Sequence, residues 1–141
     1  MNINPETYYV WIGGSCDYAH KERASAGACI IERGGKQIGT WTCSALGSTE
    51  FRMLLTLMIH TMEMLPEASD ILFTTNVAYC QNFDTPPTEK SANPDLIAEC
   101  IRLRARHRSV GVKIVNYHKY PQLPQTHQMA REVMVELRDN S

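Results

Sequence analysis

The sequence predicts an α/β fold: a mixed five-stranded sheet in the order 3-2-1-4-5 with helices on both faces. Three observations carry this. Five short stretches rich in β-branched and aromatic residues read as strands. Between Phe51 and Leu65 the apolar period switches to the three- and four-residue spacing of a helix. Gly34-Gly35 sits between the second and third stretches, where a tight antiparallel hairpin needs positive φ angles.

The elements follow in order. Tyr8 to Ile12 is an aromatic and β-branched run that Gly13-Gly14 is expected to stop. Ala26 to Glu32 and Gln37 to Ala45 are the hairpin strands. Phe51, Leu54, Leu55, Met58, Ile59, Met62 and Leu65 form the stripe of a helix. Ser48 or Thr49 can cap it, Glu50 suits its first turn and Pro66 closes it. Met53, Leu57 and Met64 make most of its remaining surface apolar, so it is expected to be central; its methionines read as packing, not as a copper box. Ile71 to Thr75 is the fourth strand, Val77 to Phe83 a helical turn and Asp84 to Ser91 a loop marked by Pro86-Pro87. Asn93-Pro94 reads as N-cap and first residue of a helix to about Arg108. Val110 to Tyr117 is the fifth strand, and a proline-marked loop from His118 to Gln125 leads to a last helix with Ala130, Val133, Met134 and Leu137 on one stripe. A meander feeding two crossovers makes the first, fourth and fifth strands parallel. Ligands of such sheets bind where parallel strands end and their connections diverge, which brings Gly13 to Cys16 beside Asn76.

Composition narrows the function classes. The chain has 141 residues, 43% hydrophobic and 21% charged, which fits one domain over 1–141 with its core about 8–137. A net charge of -1 excludes a strongly basic nucleic-acid binder of the histone kind. No apolar run is long enough for a bilayer span, and Met1 to Thr7 lacks the basic and apolar regions of a secretory leader, so no membrane partner and a cytoplasmic location are expected. Cys16, Cys29, Cys43, Cys80 and Cys100 are an odd number at irregular spacing among apolar neighbours, so they read as reduced core thiols and not as zinc ligands.

Several segments in this order resemble the ribonuclease H fold, and specifically type 1 ribonuclease H. Trp11-Ile12-Gly13-Gly14-Ser15-Cys16 resembles the family's first strand ending in Asp-Gly-Ser. Ser48-Thr49-Glu50-Phe51-Arg52-Met53 resembles its Thr-Asn-Asn-x-x-Glu helix start. Phe73-Thr74-Thr75-Asn76-Val77-Ala78-Tyr79 resembles its fourth strand, which ends in Thr-Asp-Ser. Met129-Ala130-Arg131 lies where the family has its final Asp.

The resemblance implies a fold that cleaves the RNA strand of RNA–DNA hybrids with two magnesium ions held by three Asp and one Glu. Carried over, those positions are Gly13, Met53, Asn76 and Ala130, and none is an acid. Two adjacent cations need several carboxylates to offset their repulsion, so no metal, no cofactor and no catalytic residue are expected. The family's loop histidine falls near Tyr120, with His118 close by, and its basic insertion has no counterpart in Asp84 to Asn93. What the resemblance leaves is binding: Gly14, Ser15, Cys16, Ser48, Thr49 and Asn76 match places that approach the hybrid's backbone and 2′-hydroxyls, although the same residues also serve as a turn and a helix cap.

The reading is therefore a catalytically degenerate domain that binds nucleic acid weakly, as RNA–DNA hybrid or RNA. Two alternatives stand beside it. One is a divergent magnesium-dependent ribonuclease with acids relocated to Asp17 and Glu50; the other is a scaffold that binds a protein partner. The sequence does not fix the oligomeric state. Arg102, Arg104, Arg106, His107 and Arg108 are the one basic cluster, read as cations at a helix end in preference to a phosphate patch. Tyr117 to Tyr120 is an aromatic-basic loop suited to stacking or to closing the sheet end. Trp11 and Trp41 read as packing, and His20 and His60 as ordinary polar residues.

Overall fold

A computed structural model of the chain describes residues 4–88 and 93–140. The segments Met1 to Ile3 and Glu89 to Ala92, which hold part of the expected N-terminal tail and proline loop, lie outside them.

Strands β1 (Tyr8–Cys16), β2 (Ser25–Arg33), β3 (Lys36–Ala45), β4 (Asp70–Thr75) and β5 (Ser109–Ile114) form one sheet in the predicted order β3-β2-β1-β4-β5. β1 pairs antiparallel with β2 and parallel with β4, and β4 pairs parallel with β5. Gly34 (φ 62°) and Gly35 (φ 77°) make the β2–β3 turn, the two positive angles that let the hairpin keep its twist. Helix α1 (Glu50–Met64) begins at Thr49, whose hydroxyl accepts from the Arg52 amide at 3.2 Å.

α1 buries Leu54, Leu55, Leu57, Met58 and Met62 against Val10, Ile12, Cys29, Ile31 and Phe73, with helix α2 (Pro94–Arg104) on the same layer. Helix α3 (Gln122–Asp139) covers the other face, where Ala130 and Met134 lie on Ala24, Ala26 and Ala28. Small residues on β2 let that helix come close. All five cysteines are free, and burial pushes the Cys80 and Cys100 thiols up to about 12, so both are protonated packing groups. Among the described residues no helix is long and apolar enough to cross a membrane.

Four boundaries differ from expectation. β1 does not stop at Gly13-Gly14; both glycines stay in register with Ala28 and Gly27 to the end of the strand. They are there because neighbours approach too closely for a side chain. α2 ends at Arg104 instead of Arg108, because His107 turns inward and its Nε2 donates to the Met62 carbonyl at 2.7 Å. Asn93 does start α2, but its carboxamide oxygen accepts from Arg52 Nη1 at 2.9 Å and makes no cap bond, tying α2 to α1.

β5 ends at Ile114, short of Tyr117, because Asn116 folds an Asx turn by accepting from the His118 amide at 2.9 Å. α3 starts at Gln122 and not after Gln125, since Pro124 falls in its first turn, where a missing amide costs nothing. Between β4 and α2 the helical turn is a 3₁₀ segment, Ala78–Asn82. The tryptophans pack as expected: Trp11 donates to Glu32 at 2.6 Å, and Trp41 stacks on His60 with centroids 3.7 Å apart.

Candidate functional site

The β1–β4 ladder runs to Trp11 and Thr74, and Asn76 follows immediately after β4. Beyond that rung the two sheet faces present different groups to β1. A Cβ on Gly13 would meet Thr126 Oγ1 at 2.5 Å and His127 Cδ2 at 3.2 Å, so Gly13 faces α3. A Cβ on Gly14 would meet Glu50 Cγ at 2.8 Å and Leu54 Cδ2 at 3.5 Å, so Gly14 faces α1.

His127 holds the site together. Its Nε2 lies 3.2 Å from Asn76 Oδ1, the Gly14 main chain stands close enough to favour its charged form, and Tyr117 packs edge-on at 5.0 Å. Burial lowers its pKa from the ordinary histidine value, with the Gly14 bond acting the other way. Burial therefore favours the neutral ring. His127 was not singled out from the sequence. The signal was available: it lies one helical turn before Ala130, and α3 begins a turn earlier than expected.

The other predicted positions separate. Ala130 is fully buried on the alanines of β2 and does not take part in the Asn76 cluster. Met53 turns toward β3, where the Cys43 thiol lies 3.9 Å from its sulfur, and Glu50 and Leu54 are the α1 residues beside Gly14. Cys16 and Ser48 come together, with the thiol donating to the Ser48 carbonyl at 3.8 Å and accepting from Ser25 at 3.0 Å. Ser15 pairs with Ala26 and is half-buried, and Thr49 is occupied as the helix cap.

The two relocated acids behave differently. Asp17 is tied to Arg138 at 3.0 Å and His20 at 2.5 Å, and the Arg138 guanidinium holds its carboxyl below the usual range. Glu50 has its pKa raised by burial, and its amide donates to the Tyr18 hydroxyl at 3.3 Å. Among the described residues no group of three or more His, Cys, Asp or Glu side chains is placed to hold a metal ion. A pair of magnesium ions does not fit this donor set, because one carboxylate and neutral amides leave their repulsion uncompensated.

Two further surroundings matter. Tyr18 and Tyr79 are 60% and 70% exposed and flank the first turn of α1, Tyr18 through the Glu50 amide and Tyr79 through its tilted contact with Phe51 at 6.0 Å. Across the cleft, Tyr117 carries His118 edge-on at 5.0 Å, and Lys119 lies over the Tyr120 ring at 5.9 Å.

The arginine cluster is elsewhere and neutralised: Arg102 pairs with Glu99, Arg104 with Asp84 at 2.9 Å, Arg106 with Glu67 at 3.6 Å and Arg108 with Asp70. Arg108, and after it Ser109, hold the Asp70 carboxyl down to about 2, against an ordinary 3.8. A depressed carboxylate stabilises the fold fully above its unfolded value and loses that contribution as the pH falls through the folded one. The Asp70 carboxyl carbon is expected to titrate in NMR with a midpoint near 2. A midpoint near the ordinary 3.8 would show the pair to be open in solution.

No protein-family model and no curated protein matches the chain. Solved structures do. The crystal structure of LC9-RNase H1, described as a type 1 RNase H with the type 2 active-site motif, superposes with a TM-score of 0.77 at 16% identity over 96% of this chain and 75% of that one. The N-terminal RNase H domain of rv2228c from Mycobacterium tuberculosis gives 0.74 at 7% identity over 94% of this chain and 98% of that one. RNase H1 from the halophilic archaeon Halobacterium salinarum NRC-1 gives 0.69 at 12% over 89% and 98%. The chain has the RNase H-like fold.

Proposed function

We propose that this RNase H-like chain is a non-catalytic nucleic-acid-binding module, taking RNA or RNA–DNA hybrid at the end of β1 and β4. The observation that carries the reading is the Gly14–His127–Asn76 cluster, a neutral hydrogen-bonding group at the strand ends of this fold. Aromatic side chains border it on both sides: Tyr18 and Tyr79 by α1, and Tyr117 in the basic loop. Such groups fit sugar hydroxyls, phosphate oxygens and the faces of unpaired bases. No catalysis is expected, because Asp17 is engaged by Arg138 and, among the described residues, Glu50 belongs to no group of three His, Cys, Asp or Glu side chains placed to hold a metal.

Fluorescence anisotropy with labelled hybrid, single-stranded RNA and double-stranded RNA in low salt tests this. Binding is expected with a Kd on the order of micromolar and a shallow salt slope, because few phosphates are neutralised. Asn76→Ala and Tyr117→Ala are each expected to weaken binding roughly 5- to 10-fold, at about 1 kcal/mol per hydrogen bond or stacking contact. No affinity for any of the three at millimolar ligand would leave the protein-scaffold reading instead. In the same samples, magnesium or manganese is expected to produce no RNA cleavage. Metal-dependent turnover abolished by Glu50→Ala would establish the relocated-acid enzyme.

A further inference from the structure

We infer, resting on the nucleic-acid reading proposed above, that the form this chain prefers is single-stranded RNA, with unpaired bases stacked on Tyr18 and Tyr79 at the start of α1. Both residues are more than half exposed. They stand on neighbouring positions of the helix: the Tyr18 hydroxyl accepts from the Glu50 amide at 3.3 Å, and the Tyr79 ring lies tilted on Phe51 with centroids 6.0 Å apart. One short strand can therefore reach both rings.

Each ring is held before any ligand arrives. Asp17 folds an Asx turn by accepting from the Ala19 amide at 3.1 Å, and the Glu22 carbonyl accepts from the Gly47 amide at 2.7 Å. These bonds pin the Tyr18 loop to the turn that precedes α1. Tyr79 belongs to the 3₁₀ segment, which the fully buried Cys80 anchors in the core. A ring fixed in this way loses little conformational freedom when a base stacks on it.

The charges nearby favour base faces over phosphates. Glu50 places a carboxyl in the first turn of α1, and Arg52 is committed to Asp95 at 3.1 Å and to Asn93 at 2.9 Å. Arg23 Nη2 donates to the Gly47 carbonyl at 3.4 Å, which sets a guanidinium at the outer side of the Tyr18 loop. An acid, a neutralised arginine and an outlying guanidinium attract the two phosphate backbones of a duplex poorly. Base faces are uncharged and tolerate the acid. In a hybrid or in double-stranded RNA those faces are covered by neighbouring base pairs, whereas a single strand can offer them.

The test is fluorescence anisotropy of one labelled RNA of about 12 nucleotides, free and annealed to its DNA or its RNA complement. The free strand is expected to bind at least about 10-fold more tightly than either duplex. Tyr18→Ala and Tyr79→Ala are each expected to weaken free-strand binding by about 5- to 10-fold, while Tyr79→Phe, which keeps the ring, binds as the parent does. Thermal melting followed by circular dichroism is expected to match the parent for all three, because both rings are surface groups. A hybrid that binds as tightly as the free strand overturns the single-strand preference and leaves the nucleic-acid reading in place. So does free-strand affinity that neither alanine variant lowers. No affinity for any form at millimolar RNA overturns both.

Discussion

A Gly13→Asp variant is expected to lose on the order of 3 kcal/mol of stability and to melt roughly 10 °C below the parent chain. The resemblance read from the sequence would put an acid at Gly13, so this substitution is the obvious attempt to build a metal site there. The cost is steric first. The new Cβ would stand 2.5 Å from Thr126 Oγ1 and 3.2 Å from its Cβ, and Thr126 is fully buried with its hydroxyl donating to the Leu123 carbonyl at 2.8 Å. Thr126 cannot swing aside without breaking that bond inside the packed first turns of α3. The carboxylate would then sit beside a neutral histidine and a carboxamide, with no cation to meet it. Gly13 has no positive φ, so backbone strain plays no part, and Gly13→Ala should show a smaller loss of the same sign. Thermal unfolding by circular dichroism is the measurement. A Gly13→Asp protein melting within about 2 °C of the parent would mean that α3 yields freely and that an acid has room there.

The second large effect concerns the strand that delivers Asn76. Phe73→Ala is expected to cost about 3–5 kcal/mol, measured as a lowered urea midpoint with an unchanged slope. Phe73 is fully buried on β4 within the cluster that joins the strands to α1 and α2, and its register partners Val10 and Val112 hold it between two parallel neighbours. Deleting the ring leaves a cavity that rigid strands on either side cannot collapse to fill. A loss below about 1 kcal/mol would contradict the packing described for this layer.

The sheet order was legible because it rests on local signals that tertiary contacts reinforce. The Gly34-Gly35 turn forces β2 and β3 together, the helical stripe of α1 identifies a crossover, and right-handed crossovers leave few topologies. The site was legible only in part. Asn76 and Gly14 were expected side by side and both stand beside His127, whereas Met53 and Ala130, placed by the resemblance at acidic positions, turn to β3 and β2. The organising side chain, His127, was missed because Pro121 and Pro124 look like a loop when their neighbours in space are unknown.

The sequence by itself therefore determined the elements and their order, since both depend on residue type and period along the chain. Tertiary structure alone decided the rest. Whether Gly13-Gly14 ends a strand or clears space beside α1 and α3 depends on what packs there. Whether the arginines near α2 form a phosphate patch depends on Glu99, Asp84, Glu67 and Asp70 standing opposite them. Whether Asp17 is a free acid depends on Arg138, far away in the chain and 3.0 Å away in the fold. Steric clearance and charge neutralisation are properties of distance in three dimensions, and no local pattern encodes them.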